Sequence, residues 1–411
     1  MTMMDDQLPR GIELTSLSPT FRADPHGVLG AARTACPVYR DGVLRDYVVL
    51  TADIGRKVLS DRALLTDPRA TAETSTRRLR GEPLDRDPPM LFADNPQHKR
   101  LRALLGKALN ADRVERMRPR AKALCRTLVD GIAERCFDLV ERIARPLPTI
   151  VVAELLGVDA AQHEDFKRWS DAIIAANLNP LAAPDVKAEG ARAAGDLDAL
   201  VLQEIARRRA EPALQDDLLS AMMAAALDGD RFTDAEIASQ TQLLLIAGNQ
   251  TTTDLIGTMM RNLLERADSY ARLVESPALI TNAVDEALRF EPPIFSTERI
   301  APEDMVLAGV PIPKGACLAV MLPALNHDPA LNQDPGVFDI ARKGIKHFSF
   351  GGGRHICAGA PLARLEAAVL LEVMIERMPR LAPDRNREPI VSASPGFRGL
   401  DEYWLIRDTA K

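Results

Sequence analysis

The pattern of apolar and polar residues predicts a mainly helical chain. Residues 113–230 are typical of helix after helix, with proline breaks at 145–148, 178–186 and 211–212. The second of these breaks separates two helices and can form a flexible lid. No fixed repeat and no low-complexity linker divides the chain, so we expect one large domain.

One predicted helix is unusually long. It begins with a capping box at residues 233–236 and meets no proline until about residue 266, which gives it a length of roughly 50 Å. Its middle, residues 243–248, is apolar on every side, which is typical of a helix buried through the centre of a large protein.

Short strand patterns lie outside the helices. Residues 37–50 predict a hairpin with its turn at Asp41-Gly42, followed by a short helix that Thr51 caps. Residues 308–315 predict a strand–turn–strand unit, and residues 391–406 carry short strand signals.

Two stretches lack clear periodicity. The first forty residues show no strong helical period and are expected to wrap the surface; residues 67–89 are rich in Arg, Asp, Thr and Pro and predict a long functional loop. We divide the chain into an arm at 1–20 and a single domain at 21–411.

A glycine-rich loop at 348–364 carries the most distinctive chemistry. Its one cysteine, Cys357, is followed by an apolar helix from Leu362 to Met374. Glycines let loop N–H groups turn inward, and the helix adds the positive end of its dipole; both favour a thiolate. From these residues alone, metal ligation and nucleophilic attack both stay open.

Polar pairs suggest further sites. In the long helix, Gly248 precedes Gln250 and Thr251, which need partners if they are buried, although a threonine bonded to a carbonyl one turn earlier would explain them equally well. His98 and Arg102 lie at i and i+4 on one helical stripe and can clasp a carboxylate, or form a solvated basic face.

Composition narrows the class of protein. The 411 residues carry a net charge of −6 with mixed signs, which gives no support for a general nucleic-acid binder. The five cysteines have no paired spacing, which favours free thiols in a reducing compartment. No apolar leader and no membrane-length apolar run is present, so we expect a soluble cytoplasmic protein.

In this order along the chain, the motifs resemble the cytochrome P-450 superfamily in its soluble bacterial form. Residues 350–359 resemble its haem-thiolate signature, 247–252 the oxygen-activating segment of its central helix, and 98–102 its propionate-binding helix. Residues 286–289 resemble its Glu-x-x-Arg helix, with Arg342 where the partner arginine falls. From about residue 20 onward, the resemblance implies a single-domain, mainly α fold with small β-sheets and haem between the central helix and the helix after the cysteine.

The resemblance implies haem b with Cys357 as its axial thiolate ligand. The haem-binding positions would be His98, Arg102, Arg299, His355, Phe350, Gly351 and Gly359. A structural ion network behind the haem would comprise Glu286, Arg289 and Arg342. Ala247 and Gly248 would leave room for dioxygen, and Thr251 would hydrogen-bond it and help deliver protons.

One departure from the family pattern concerns that proton route. Many members have Asp or Glu before the threonine, whereas this chain has Gln250, a neutral amide that cannot exchange a proton at accessible pH. Proton delivery must then run through water and Thr251 or through another acid, or be slower and leak peroxide.

The resemblance also implies a substrate and an electron source. The pocket would be lined by apolar residues, with Ile174 or Leu178 on the lid and, elsewhere, Phe92 of the 85–93 loop, Leu244, Ala247, Ile294, Phe295 and Phe397. Such a lining predicts a hydrophobic small-molecule substrate for a monooxygenase that hydroxylates with O2. Electrons would come from a ferredoxin and its reductase, steered by a positive patch of Arg100, Lys107, Arg113, Arg116 and Arg354.

Other function classes explain fewer of these features. A cysteine hydrolase would need neither the Glu286 network nor the threonine at mid-helix, and a haem sensor would have little use for Thr251. A peroxide-driven peroxygenase stays open because of Gln250.

Overall fold

The structure is a computed structural model that describes residues 8–44, 46–72, 89–159, 162–178, 182–211, 215–266 and 268–407, without the side chains of 163, 177 and 178. Helices make up most of this part of the chain, which confirms the predicted mainly α fold class with small sheets.

The helices are α1 (Pro19–Ala23), α2 (Pro25–Ala35), α3 (Ala52–Ser60), α4 (Gln97–Ala108), α5 (Ala111–Arg116), α6 (Arg118–Asp130), α7 (Pro146–Leu156), α8 (His163–Leu178), α9 (Pro184–Arg209), α10 (Leu218–Ala224), α11 (Asp234–Glu265), α12 (Ser269–Glu275), α13 (Ile280–Phe290), α14 (Leu322–Asn326) and α15 (Ala360–Arg377). The strands are β1 (Val38–Arg40), β2 (Tyr47–Val49), β3 (Cys136–Asp138), β4 (Ala226–Leu227), β5 (Asp230–Arg231), β6 (Ser296–Ile300), β7 (Met305–Leu307), β8 (Val310–Ile312), β9 (Cys317–Met321), β10 (Leu381–Pro383), β11 (Ile390–Val391), β12 (Leu400–Glu402) and β13 (Trp404–Arg407).

Contacts within the chain define two compact units. The first comprises Met1–Asp87, Asp254–Cys357 and Arg380–Ile406; the second comprises Pro88–Thr253, Ala358–Pro379 and Arg407–Lys411.

A four-stranded sheet of order β1-β2-β9-β6 lies in the first unit. β1 and β2 form the predicted hairpin, with Val38 opposite Val49, and β2 runs parallel to β9. Apolar side chains of this sheet pack with Val58 and Leu59 of α3 in one buried cluster. The strand–turn–strand prediction for residues 308–315 is right in kind but wrong in its bounds. The unit spans 305–312, where β7 and β8 flank Ala308 and Gly309, which take the positive φ of a tight hairpin turn.

The N-terminal region departs from the expectation that it wraps the surface. It forms α1 and α2, and Leu14, Phe21 and Leu29 are buried in a core cluster of the first unit. The weak helical period reflects the shortness of α1 and the two glycines of α2. Residues of the supposed arm therefore contribute to the core.

The cap of α3 also differs from the prediction. Thr51 is the N-cap residue, but its side chain makes no capping hydrogen bond. Instead the carboxylate of Asp328 accepts from the backbone N–H of Ala52 at 2.8 Å. A residue distant in sequence thus supplies the acceptor that the first turn needs.

The second unit is a packed set of helices, α4 to α10 with α15 and residues 234–253 of α11. α11 confirms the long helix and its capping box: the N–H of Thr233 donates to Glu236 at 2.8 Å, and Thr233 Oγ1 accepts from the N–H of Glu236 at 3.2 Å. Among the described residues, none of the helices combines the length and apolarity that crossing a bilayer requires. Residues 73–88 of the predicted long loop and 179–181 of the lid break lie outside the described residues.

Candidate active site

Cys357 ends a loop that is held by its own backbone. Its N–H donates to the carbonyl of Phe350 at 3.0 Å, and the N–H of Gly351 donates to Phe348 at 2.7 Å. Gly351 and Gly353 have φ near +69° and +66°, a conformation that side chains disfavour. Cys357 is exposed, whereas the other four cysteines are buried or partly buried. The loop therefore presents one thiol on a fixed frame.

The side chain of Asn326 on α14 and a backbone carbonyl of α13 anchor the start of this loop. The carbonyl of Asn326 Oδ1 accepts from the N–H of Phe348 at 2.7 Å, and its Nδ2 donates to Ser349 Oγ at 3.0 Å. Ser349 in turn donates to the carbonyl of Leu288 at 2.6 Å. The sequence did not predict this anchor, because nothing local links Asn326 to residues more than twenty positions later.

Two predicted haem-binding cations lie beside the loop within the first unit. Arg299 on β6 is buried, and its guanidinium donates to the carbonyl of Gly352 at 3.2 Å and to that of Glu298 at 2.8 Å. Nε2 of His355 lies 3.0 Å from Thr66 Oγ1, a contact that the sequence did not reveal. Hydrogen bonds thus orient both side chains.

The structure brings Glu286, Arg289 and Arg342 into one buried network. Arg289 donates to the two carboxylate oxygens of Glu286 at 2.7 and 2.8 Å, and Arg342 Nε lies 3.2 Å from each of them. Both arginines also donate to the carbonyl of Val337. Removing one partner of a fully buried pair typically costs about 3–5 kcal/mol. This network therefore holds the segment before the cysteine loop in place, through the carbonyl of Val337.

Two buried side chains fix the rotation of α11 about its axis. Asn249 Nδ2 donates to Ser170 Oγ of α8 at 2.9 Å, and Thr253 Oγ1 donates to the carbonyl of Ala144 at 3.0 Å. Residues four apart share a helix face, so these two bonds hold one face of α11 against its neighbours. Neither bond was predicted, because both partners are more than seventy residues away.

The predicted oxygen-side residues lie on the opposite stripe of α11. Leu244, Ala247 and Thr251 are spaced by three and four residues, and Ala247 is exposed while the other two are half-buried. Thr251 Oγ1 donates to the carbonyl of Ala247 at 2.6 Å. The hydroxyl proton is therefore held within the helix, while the oxygen can still accept a hydrogen bond. Gln250 is half-buried beside this stripe.

Gly248 has a packing reason that the sequence did not separate from a functional one. A Cβ at this position would lie 3.2 Å from Cγ2 of Val152 on α7. The glycine thus allows α7 to approach the centre of α11 closely, and its role in leaving room for dioxygen stays a prediction.

α4 presents its predicted propionate-binding residues on one face. His98 is buried and Arg102 half-buried, one turn apart. Arg100 lies on the other side of the helix, where its guanidinium donates to Asp230 at 2.5 Å and to Glu236 at 2.5 Å. This ion cluster sets the rotation of α4.

The six predicted pocket residues have unequal surroundings. Phe92 is 42% exposed on a short turn, Ile294 and Phe397 are half-buried bridge partners, and Phe295 is only 3% exposed. The ring of Phe295 packs edge-on against Phe21, with centroids 5.0 Å apart. Phe295 is therefore a core residue in this structure.

Two further positions named for the pocket can be placed only in part. Ile174 on the lid helix α8 is half-buried, whereas the side chain of Leu178 and residues 85–88 lie outside the described part of the chain.

The predicted positive patch is largely neutralised. In the second unit, Arg100 is bound to two carboxylates, and Arg113 and Arg116 share Asp216 at 3.1 and 3.7 Å. The ammonium of Lys107 donates to a backbone carbonyl. In the first unit, the guanidinium of Arg354 donates to the carbonyls of Arg62 and Leu64. The sequence showed the cations but not the acidic residues that fold beside them.

Comparison with known proteins gives the family. The family model described as cytochrome P450 matches residues 48–397. The chain belongs to the cytochrome P450 family. The P450 monooxygenase PikC of Streptomyces venezuelae is 35% identical over 95% of this chain and 93% of its own length. The 6-deoxyerythronolide B hydroxylase of Saccharopolyspora erythraea is 34% identical over 93% of this chain and 96% of its own.

Solved structures agree with this assignment of the P450. The crystal structure of CYP109E1 from Bacillus megaterium in complex with testosterone has a TM-score of 0.84 and 29% identity, and it covers 94% of this chain and 100% of its own. The protein is thus an oxidoreductase of a family that binds haem b through a cysteine thiolate. The donor set fits that group, because an exposed thiol on a loop held by its own hydrogen bonds lies in the same unit as the oriented side chains of Arg299 and His355.

Proposed function

We propose that this P450 inserts one oxygen atom of O2 into a hydrophobic small molecule, using electrons from a separate ferredoxin and ferredoxin reductase. The observation that carries the proposal is the loop of Cys357, an exposed thiol whose frame is fixed by its backbone and by Asn326. A fixed frame suits an axial ligand, since loop N–H groups and burial tune the electron donation of the sulfur.

In this proposal Cys357 holds the iron as a thiolate, and the cationic residues bind the two propionates. These residues are Arg299, His355, His98 and Arg102, as the family resemblance implies. Charge-assisted bonds to carboxylates are strong, and hydrogen bonds to Gly352 and Thr66 orient two of the donors in advance. When bound, the haem supplies the binding and activation of dioxygen.

Thr251 and Gln250 carry the proton chemistry of the protein. The Thr251 hydroxyl donates to Ala247, so it first accepts a hydrogen bond from a water molecule and releases its own proton only by rotating away from that carbonyl. Gln250 can orient that water through its amide but cannot supply a proton. Protons therefore reach Thr251 through water, a slower route than one with an acid at position 250.

The substrate class follows from the relatives and the lining. One relative is named for 6-deoxyerythronolide B and one structural neighbour was solved with testosterone. We propose a large, rigid, mostly apolar ring compound of that kind. Leu244 and Ala247 on α11, with Ile294, Phe397 and Phe92, would form apolar walls that hold it by burial.

Electron delivery needs a partner surface other than the patch expected from the sequence. Because carboxylates offset Arg100, Arg113 and Arg116, steering by these residues is weak. We propose that a ferredoxin supplies the electrons, as the family resemblance implies. The five free thiols favour a cytoplasmic setting.

Spectroscopy of the purified protein tests the proposal first. The protein should be red, and its reduced carbonyl complex should show the far-red-shifted Soret band of a thiolate-ligated haem. Cys357→Ser should lose that band because the thiolate ligand is gone, whereas Cys136→Ser, at a half-buried position outside the loop, should keep it. A colourless parent protein contradicts the proposal. Turnover with peroxide alone, and none with ferredoxin and reductase, would point to a peroxygenase.

A Gln250→Glu variant tests the proton route. An acid beside Thr251 should raise the fraction of reductant that ends in product and lower peroxide release, since it shortens the path of the proton. Measuring product, peroxide and NAD(P)H consumption in one assay gives the coupling. Gln250→Asn, which keeps an amide, is the matched control; equal coupling in the parent and the Glu variant would contradict the assigned route.

A further inference from the structure

Two segments that carry predicted pocket residues are paired with each other. The N–H of Phe295 donates to the carbonyl of Gly396 at 3.0 Å, and the N–H of Arg398 donates to the carbonyl of Pro293 at 2.8 Å. We call residues 293–295 and 396–398 the paired segments. Both lie in the first unit, so their geometry is that of one compact body.

The pairing decides which way the side chains point. Ile294 and Phe397 are bridge partners, so their side chains share one side of the paired segments. Successive side chains alternate in extended chain, and the ring of Phe295 is buried against Phe21. Ile294 and Phe397 therefore face away from the core, while Phe295 serves as the anchor.

A buried ion pair holds the second of these segments. The Nε and Nη2 atoms of Arg398 donate to Glu291 Oε1 at 3.1 and 2.9 Å, and both residues are buried. The other carboxylate oxygen of Glu291 accepts from Asn262 Nδ2 at 2.7 Å. The third nitrogen of Arg398, Nη1, donates to the carbonyl of Arg22 at 2.5 Å. One guanidinium thus ties Phe397's neighbour to α13 and to the N-terminal helix α1.

The N-terminal region makes a second, independent contact with Phe397. Ser16 is fully buried, and its hydroxyl donates to the carbonyl of Phe397 at 3.1 Å. Together with the Phe21 ring and the Arg22 carbonyl, this places three N-terminal residues on the paired segments. We call residues 16–22 the N-terminal brace.

We propose that the N-terminal brace and Arg398 are positioning elements that set where Ile294 and Phe397 stand, and so which large ligands the pocket accepts. The inference rests on the proposed function, in which these two side chains form an apolar wall. None of the brace residues or Arg398 needs to touch the substrate. They act through the backbone carbonyl of Phe397 and through the amide of residue 398.

Two azoles of different size test the proposal without knowledge of the substrate. Imidazole and clotrimazole both coordinate haem iron and shift the Soret band, but only clotrimazole is large enough to reach a pocket wall. In Ser16→Ala and Arg398→Lys holoenzymes the Kd of clotrimazole should change by about fivefold or more, as expected for loss of one oriented hydrogen bond. The Kd of imidazole should stay within about twofold of the parent value.

Thr34→Val is the matched control for Ser16→Ala. It also removes one hydroxyl, but that hydroxyl donates to the carbonyl of Gly30 within α2 at 3.0 Å, outside the brace and the paired segments. The control should leave both azole affinities unchanged.

Amide hydrogen exchange gives a readout that does not depend on haem. The amides of Phe295 and Arg398 should exchange about fivefold faster in Ser16→Ala than in the parent and in Thr34→Val, because the segments lose an anchor. Normal imidazole binding with unchanged clotrimazole affinity and unchanged exchange would overturn the inference. If imidazole gives no Soret shift, the haem assignment fails instead, and the exchange rates alone decide whether the brace positions the segments.

Discussion

Glu291 and Glu366 are both buried glutamates, yet their carboxyl groups are shifted in opposite directions. Burial alone would raise the pKa of Glu291, but Arg398, with His26 and Arg261, lowers it to about 2. Burial raises the pKa of Glu366 to about 8, and its Oε2 has no hydrogen-bond partner among the described residues. The cost of burying a carboxylate is thus decided by the partners the fold supplies.

The comparison separates two kinds of buried acid in this P450. Glu291 is charged at neutral pH and ties α13 to the end of the paired segments through Arg398. Glu366, on α15, is mostly a neutral acid at the same pH, because burial raises its pKa to about 8. Glu291 thus forms a buried ion pair that links two segments, whereas Glu366 is a buried neutral side chain that contributes by packing.

The largest expected effect comes from breaking the buried ion pair between Arg398 and Glu291. Arg398→Met should lower the free energy of unfolding by about 3–5 kcal/mol, because it leaves the charge of Glu291 buried without its main partner. Urea unfolding at pH 7 measures it. The double variant Arg398→Met/Glu291→Gln should recover a large part of the loss.

Arg387→Met is the control for that experiment. Arg387 forms a partly exposed pair with Asp384, so its removal should cost at most about 1 kcal/mol. A similarly small loss of unfolding free energy for Arg398→Met would contradict a large contribution of the buried pair to stability.

The protonation state of Glu366 can be tested by the pH dependence of the free energy of unfolding. The folded pKa of Glu366 lies above its unfolded value, so its contribution to stability is full below about pH 4.5 and is lost as the pH rises toward 8. Relative to the parent, Glu366→Gln should therefore gain about 3 kcal/mol between pH 4 and pH 7. Urea unfolding across that range measures the difference.

Glu366→Leu separates protonation from hydrogen bonding at this site. It also removes the titrating group, so its gain relative to the parent should have the same pH slope as that of Glu366→Gln. A parent protein whose stability difference from both variants is flat from pH 4 to 7 would show that Glu366 is ionised in the fold.

A smaller effect on stability is expected at His327, which lies near Glu291. His327 stacks on His26 at 3.8 Å, and its burial lowers its pKa to about 4, while burial also lowers the pKa of His26. A depressed histidine pKa means that stability is full above about pH 6.5 and is lost as the pH falls toward 4. His327→Gln should therefore gain about 2.5 kcal/mol on the parent from pH 8 to pH 4.5.

Thermal unfolding at both pH values checks this prediction. His26→Phe, which keeps a stacked ring at the neighbouring position, should gain in the same direction. A difference between His327→Gln and the parent that does not depend on pH would show that the fold does not lower the pKa of His327.

Much of the site could be predicted where the residues that act together are close in sequence. The glycines around Cys357, the Glu286/Arg289 spacing and the capping box of α11 each act over a few residues, and the structure shows each in its expected local form. The hairpin of β7 and β8 was predicted in kind but placed too late in the chain, because its turn lies at Ala308 and Gly309, the first two residues of the predicted unit.

Predictions that depended on partners far away in sequence were wrong in three places. Thr51 does not cap α3 through its side chain, because Asp328 takes that place. Arg100 and Arg113 do not form a free positive patch, because acidic residues fold beside them. Phe295 faces the core instead of the predicted pocket.

The sequence by itself determined the family, the fold class and the identity of the reactive thiol, because those depend on motifs whose residues are close together in the chain. Only the tertiary structure decided that Glu291 is paired with Arg398, that Glu366 is not, and that Ser16 supports Phe397. Burial and charge are properties of what surrounds a group. Those surroundings are assembled from segments up to 381 residues apart, beyond the reach of any local pattern.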